Sequence, residues 1–175
     1  MSLGGGAVLA GDSLSREPLR TPMRRRADPV APRLHRKIGA DLFNYTWSLL
    51  DQKRRTAEED DEMVHAAHAS RYHWGRAGGP LQRSIGEWQI SRVYAVLGRP
   101  EAAAYHGRRA LEIALRGHLG RFYVAYAYEA MARAAALRGD RRERDRCLRE
   151  ARRLGALVRA SDDRRMLTED LATIP

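Results

Sequence analysis

The second predicted helix carries the residues whose types and spacing could do chemistry. Its segment EEDDEMVHAAHASRYHW places Asp61, His65 and His68 at i, i+4 and i+7, so their side chains share one helix face. Carboxylate and imidazole groups that converge in this way can ligate a metal ion or exchange protons with a ligand. Glu62 adds an E-x-x-H pair with His65. These four residues are therefore a possible ligand or metal site.

A structural role for these histidines is the competing interpretation. Imidazoles on a helix commonly hydrogen-bond across a helix interface or lie on a polar face. A di-metal helical bundle needs a second E-x-x-H on another helix, and the sequence contains none. His73 lies about 80° from His65 around the helix, so it needs a separate role. The sequence predicts no cofactor, and metal binding stays an alternative.

Other catalytic patterns are missing from the chain. The sequence contains no G-x-x-x-x-G-K-[ST] phosphate loop, no G-x-S-x-G elbow and no H-E-x-x-H zinc motif. Cys147 lies among Arg144, Arg146 and Arg149, whose charges would favour a thiolate, but no motif pairs it with a base. We interpret Cys147 as a small apolar position, predict no catalytic residue, and expect a protein that is not an enzyme.

The elements that must position these residues are all helices. From about residue 35 onward each segment has helical spacing, and no segment alternates as a strand would, so the predicted fold class is all-α. In the first helix Ile38, Leu42, Tyr45 and Leu49 predict a well-buried stripe. The predicted helices cover about 35–50, 57–74, 81–97, 100–116, 122–138, 141–158 and 161–171.

Two stretches of this chain repeat one plan. GEWQISRVYAVLGRPEAAAYHGRRALEIAL and YAYEAMARAAALRGDRRERDRCLREARRL each contain a helix, a turn at Gly98 or Gly139, and a second helix. This plan resembles the tetratricopeptide repeat (TPR), in which small residues let two helices approach closely. The matching positions are Ile90, Tyr94, Gly98, Ala103, Ala110 and Leu111, and then Tyr128, Met131, Ala132, Gly139, Leu148 and Ala151.

The match has departures. Gly107 stands where a large aromatic residue is usual, Arg144 stands where a small residue is usual, and the spacing of the units exceeds the usual ~34 residues. HAAHASRYHW, GEWQISRVYAVLG and YAYEAMARA also resemble a family of small bacterial proteins with no assigned activity. That resemblance implies no chemistry.

The TPR resemblance implies an architecture. We expect a TPR-like right-handed superhelix of about three antiparallel helix hairpins, closed by a C-terminal capping helix. The hairpins would cover about 35–75, 81–116 and 122–158, and the cap 161–172.

The resemblance also implies a concave groove that receives a peptide. Its lining would be Trp88 and Arg92 on the third helix, with Tyr126, Glu129 and Arg133 on the fifth. Two guanidinium groups beside aromatic surface suit a carboxylate or an acidic peptide. In the opposing interpretation, Arg92 pairs with Glu87 or Glu129, and Trp88 is ordinary core.

Composition limits the partners. The formal charge is +10, but acidic residues interrupt the arginine runs, as in DRRERDRCLREARR, so we consider nucleic acid an unlikely partner. Residues 1–34 are basic and rich in Gly and Pro, which predicts a disordered tail ahead of a repeat domain at 35–175. With no signal sequence, no membrane span and a single cysteine, we expect a cytoplasmic protein.

The sequence therefore favours a non-enzymatic interaction module or scaffold. Its partner would be a protein or peptide, an acidic one included, or a second copy of the chain. The alternative is a metal- or small-ligand-binding protein, or an enzyme, that uses Asp61, His65 and His68.

Overall fold

The computed structural model describes residues 28–175, and every regular element among them is an α-helix. The elements are α1 (Pro32–Leu50), α2 (Ala57–Ala77), α3 (Pro80–Val96), α4 (Pro100–Arg116), α5 (Arg121–Leu137), α6 (Arg141–Gly155) and α7 (Ser161–Ala172). The all-α prediction is confirmed for this part of the chain. None of these helices is both long enough and apolar enough to cross a lipid bilayer.

Local sequence signals set the helix ends. Thr56 and Glu59 form a reciprocal capping box at the start of α2. Gly98 and Gly139 have φ of 66° and 72°, a left-handed conformation that glycine adopts without strain. At both turns the next amide donates back to a carbonyl of the last helical turn, Arg99 to Tyr94 and Asp140 to Ala135. The two turns therefore share one C-capping geometry, as their equivalent places in the repeat predict.

Consecutive helices pack as pairs, α1 with α2, α3 with α4, and α5 with α6. In addition, α3 contacts α1 and α5, and α7 packs on α5 and α6. The hydrophobic core of the described residues consists of three clusters. Its clusters are Leu49, Met63, Ala67, Ile90 and Val93 in the first; Ala95, Ala103, Ala104 and Ala134 in the second; and Ala125, Tyr126, Ala132, Cys147, Leu148, Ala151, Leu167 and Leu171 in the third.

Small residues bring α3, α4 and α5 close together. A Cβ added to Gly107 would lie in van der Waals contact, 3.4 Å from both Met131 of α5 and Ser91 of α3. The Ser91 hydroxyl donates to the Ala103 carbonyl at 2.7 Å and so joins α3 to α4. The three helices therefore meet closely at Gly107.

The boundaries of two terminal predictions need correction. α1 begins at Pro32, because proline fits the first helical turn, so the end of the predicted 1–34 tail is helical. Residues 1–27 lie outside the described residues, and disorder there stays a prediction. The predicted stripe on α1 is wrong in part, since Tyr45 is 38% exposed while Thr46 is fully buried. α6 ends at Gly155, before the predicted residue 158.

Candidate functional site: an aromatic pocket between α1, α3, α5 and α7

One face of α3 and α5 opens into a pocket of about 480 Å³ between four helices. We call it the aromatic pocket. It is lined by Phe43, Trp47 and Asp51 of α1 and its C-cap, Ser84, Ile85, Trp88 and Arg92 of α3, Phe122, Tyr123 and Tyr126 of α5, and Met166 and Asp170 of α7.

Helical periodicity explains why these residues meet. Phe43, Trp47 and Asp51 are spaced at i, i+4 and i+8, which aligns them along one side of α1. Trp88 and Arg92 on α3 are also four residues apart and face the same space. Because α3 packs between α1 and α5, side chains from three helices line a single pocket.

The aromatic rings form a continuous wall. Ring centroids lie 5.6 Å apart for Trp47 and Trp88, and 5.1 Å apart for Trp88 and Tyr126. Phe122 continues the wall, with its ring centroid 4.9 Å from that of Tyr126. These separations are typical of favourable edge-to-face and tilted aromatic pairs, so the wall is fixed by its own packing.

Behind this wall, Glu129 is a fully buried carboxylate with three donors. It accepts hydrogen bonds from Arg92 Nη1 at 3.0 Å and from Trp88 Nε1 at 3.0 Å. Arg133 Nη2 lies 2.6 Å from the Glu129 Oε1 atom. A buried carboxylate needs such compensation, since its desolvation is costly. We call Glu129 and these donors the Glu129 centre.

Asp170 joins α7 to the same centre. Its Oδ1 accepts from Arg92 at 3.1 Å, and its Oδ2 accepts from the Tyr126 hydroxyl at 2.9 Å. Burial and then the neighbouring charge of Asp170 raise the pKa of Tyr126 well above its usual range, so the phenol stays protonated and donates. Arg133 also donates to the Asp170 carbonyl and to Thr173. These bonds fix the last helix against the pocket.

The structure divides the predicted groove residues into two groups. Trp88, Arg92 and Tyr126 line the aromatic pocket, whereas Glu129 and Arg133 lie behind it. The guanidinium groups of Arg92 and Arg133 are engaged within the protein, because Glu129 accepts from both, and an acidic partner stays a prediction. The opposing interpretation, an Arg92–Glu129 pair, is the one observed. Trp88 is nevertheless part of the pocket surface as well as of the packing.

The predicted histidine cluster does not come together as a metal site. Asp61, Glu62, His65 and His68 are all exposed on α2. Across residues 28–175, no group of three or more His, Cys, Asp or Glu side chains is arranged to hold a metal ion. Glu62 instead acts on Tyr45 of α1, where a hydrogen bond to Glu62 raises the pKa of the phenol. The geometric basis for metal binding on α2 is therefore missing.

His68 contributes to a polar centre that the sequence did not indicate. Its Nε2 shares a hydrogen bond of 3.0 Å with the Tyr94 hydroxyl, and its ring lies 5.3 Å from that of His106. Although His68 is exposed as a residue, partial burial of its ring and then the charge of His106 lower its pKa. The residue that the α2 pattern could not indicate is His106, because it lies on α4 and the whole of α3 separates it from α2 in the sequence.

Next to this pair, Glu87 is the second buried carboxylate of the fold. It accepts from His106 at 2.7 Å, from Arg71 at 3.0 Å and from Arg109 at 3.1 Å. Burial raises the pKa of Glu87, but hydrogen bonds from His106 and Arg109 and the charge of Arg71 outweigh that effect and lower it. We call Glu87 and these donors the Glu87 centre.

His73 has the separate role that its helix position required. Its Nδ1 lies 2.7 Å from Nδ1 of His35 on α1, and His35 Nε2 also pairs with Asp28 at 3.1 Å. His35 is 2% exposed, and Arg76 also bonds to Asp28. This group attaches the start of α1 to α2.

Cys147 is a buried residue of the α5–α6–α7 core, as its interpretation as a small apolar position requires. Burial, followed by the charge of Glu143, raises the pKa of its thiol to about 12. The arginines around it do not produce a thiolate, because desolvation dominates.

A second cavity, of about 700 Å³, lies between α6 and α7. Its lining includes Arg152, Arg164 and Arg165 but no aromatic ring. Although larger, it has no buried polar groups directed into it, and such groups are what usually orient a ligand. The aromatic pocket is therefore the better candidate.

Comparison of the chain with protein-family models, with curated proteins and with solved structures gave no match. We therefore infer the function of the chain from the geometry of the site.

Proposed function

We propose that the protein is a TPR-like, non-enzymatic interaction module that binds a peptide segment of a partner protein at the aromatic pocket. The pocket would hold one large side chain of that segment, and the neighbouring surface of α3 and α5 would hold its backbone. The single observation that carries the proposal is the aromatic pocket itself, which three of the five predicted groove residues line.

The packing of the helices supports a repeat architecture. The pairs α3–α4 and α5–α6 end their first helices with the same glycine turn, at Gly98 and Gly139. α3 and α5 are in direct contact, as the first helices of neighbouring repeats are in a stacked array. In such an array these helices form an extended concave surface, which is the usual binding face.

The composition of the pocket supports binding. Aromatic residues are enriched at the energetic centres of protein interfaces, where they provide large contact areas with little loss of side-chain entropy. Six aromatic residues line this pocket, and its volume is within the range of ligand pockets in general. Its wall is rigid, because the Glu129 centre fixes Trp88 and Asp170 fixes Tyr126.

The test requires a variant that changes the pocket without breaking the polar centre behind it. Tyr123 meets this requirement, because it lines the pocket and its hydroxyl makes no hydrogen bond with any described residue. Arg133→Ala is a poor choice, since it would leave Glu129 short of a donor. Tyr72→Ala is the matched control, as Tyr72 is 59% exposed on α2 and does not line the pocket.

The experiment selects peptides from a random library on the wild-type protein and measures their affinity by fluorescence polarisation. We expect Tyr123→Ala to weaken binding about ten-fold, as for a residue at the centre of an interface. Tyr72→Ala should leave the affinity unchanged, and both variants should retain the wild-type melting temperature. Failure to select any peptide, or equal affinity for all three proteins, would overturn the proposal.

A further inference from the structure

The polar groups of the aromatic pocket indicate what kind of side chain it accepts. Most of its hydrogen-bond donors are already engaged within the protein, and only the Trp47 indole and the Tyr123 hydroxyl have no hydrogen-bond partner among the described residues. Trp88 Nε1 donates to Glu129, the Tyr126 hydroxyl to Asp170, and the Ser84 hydroxyl to the Ala110 carbonyl. A carboxylate entering the pocket would therefore find few free donors, and an unpaired buried charge is costly.

Among the described residues, one cation lines the pocket, and it is neutralised. Arg92 Nη1 bonds to Glu129 and Nη2 bonds to Asp170, so two carboxylates face this guanidinium group. Arg133 supplies the second positive charge of the network. Arg92, Arg133, Glu129 and Asp170 together carry no net charge, so this network does not attract an anion.

Asp51 gives the pocket a negative charge that no described residue neutralises. It is exposed just beyond the last turn of α1, one turn after Trp47. Its carboxylate forms no hydrogen bond or salt bridge with any other residue between 28 and 175. A free carboxylate thus lies at the edge of a pocket that six aromatic residues line.

This combination suits a cation. The negative face of an aromatic ring attracts an ammonium or guanidinium group, and the attraction strengthens where water is excluded. The apolar stem of an arginine or lysine side chain also packs well on aromatic surface. Resting on the proposed function, we propose that the aromatic pocket selects a positively charged side chain, arginine or lysine, of the bound peptide, with Asp51 as its counter-ion.

The test titrates blocked amino acids into the protein at constant ionic strength. The probes are the N-acetyl methylamides of arginine, of citrulline, which has the shape of arginine without its charge, of leucine and of glutamate. Trp47 and Trp88 line the pocket, so intrinsic tryptophan fluorescence reports occupancy. We expect arginine to bind tightest, and citrulline to bind about ten-fold more weakly because the cation–π attraction is lost.

Asp51→Asn tests the counter-ion. Removing this charge should weaken arginine binding about three-fold, as for an exposed ion pair, and should leave leucine binding unchanged. Asp61→Asn makes the same charge change at an exposed site on α2 and should have no effect. Asp51 has no described partner, so neither variant should alter the melting temperature.

Any result in which the arginine probe is not the tightest of the four would overturn this inference. An equal effect of Asp51→Asn and Asp61→Asn would overturn the role of Asp51. The peptide selection judges the proposed function separately. If peptides bind through Tyr123 but arginine gives no advantage, the pocket binds peptides and its selectivity for cations is wrong.

Discussion

Glu87 and Glu129 are two buried carboxylates that have similar sets of hydrogen-bond donors but different roles in the fold. Each accepts from two arginines and one ring N–H, from His106 in the Glu87 centre and from Trp88 in the Glu129 centre. The two centres differ in how exposed their most exposed arginine is. The side chain of Arg109 in the Glu87 centre is 41% exposed, whereas those of Arg92 and Arg133 in the Glu129 centre are 18% and 14% exposed.

This difference indicates the structural role of each centre. The Glu87 centre joins α2, α3 and α4. The Glu129 centre joins α3 and α5, reaches α7 through Asp170, and fixes the aromatic wall. One carboxylate holds neighbouring helices together, while the other also builds a pocket.

Glu129→Gln should have the largest effect on stability. It leaves Arg92 and Arg133 in a largely buried site without their shared negative charge, which we expect to cost about 3 kcal/mol in the free energy of unfolding. Urea denaturation followed by circular dichroism measures this. A loss no greater than that of a surface Glu→Gln variant such as Glu58→Gln would remove the distinction between the two centres.

Glu87→Gln should cost less, about 1–2 kcal/mol, because the Arg109 side chain is already 41% exposed and can turn into solvent. It should also change the acid limb of the stability curve. The pKa of Glu87 is lowered in the folded protein, so its contribution is present above about pH 4 and is lost as pH falls further. Denaturation at a series of pH values should show a shallower acid limb for the variant. An unchanged acid limb would contradict this account.

Asp170→Asn should act locally. It weakens the bonds from Arg92 and Tyr126, and we expect it to cost about 1 kcal/mol. Hydrogen exchange in the native protein should speed up in α7 more than in α5, because α7 packs on fewer neighbours. Equal acceleration in both helices would show that α7 does not open independently.

Replacing His68 and His73 should have the smallest effect on stability. The sign of its pH dependence follows from the lowered pKa values of these two histidines. Burial is the largest cause of the lowered pKa for both His68 and His73, so the unfolded chain binds protons more readily than the folded protein. The free energy of unfolding should therefore fall as pH decreases from about 7 to about 5. In a double variant, His68→Gln and His73→Gln, this slope should flatten. An unchanged slope would assign it to other groups.

The helices could be predicted from the sequence because their signals are local. The Thr56–Glu59 capping box, the prolines at helix starts and the turns at Gly98 and Gly139 each act within a few residues. Helical spacing also placed Trp88, Arg92 and Tyr126 on one surface. The stripe on α1 was less predictable, since the neighbour that covers Thr46 is set by packing.

The polar partners could not be predicted, because they depend on distant contacts. Arg92 meets Asp170 across 78 positions of sequence, and His106 meets Glu87 across 19. No local pattern encodes such pairs, and any of the many arginines of the chain could have been the partner of a buried carboxylate. The sequence did offer Glu129 as one of two acceptors for Arg92, and only the packing of the helices decides between Glu129 and Glu87. An acidic partner stays a prediction.

The most direct test of the account is where a bound peptide contacts the protein. The chain has three tryptophans, so 5-fluorotryptophan labelling gives three fluorine resonances, assignable by single Trp→Phe variants. On adding a selected peptide, the resonances of Trp47 and Trp88 should shift together and saturably. The resonance of Trp74, which is buried and does not line the pocket, should shift least. A saturable shift confined to Trp74, or no shift at a peptide concentration that saturates polarisation, would place the binding surface elsewhere and contradict the account.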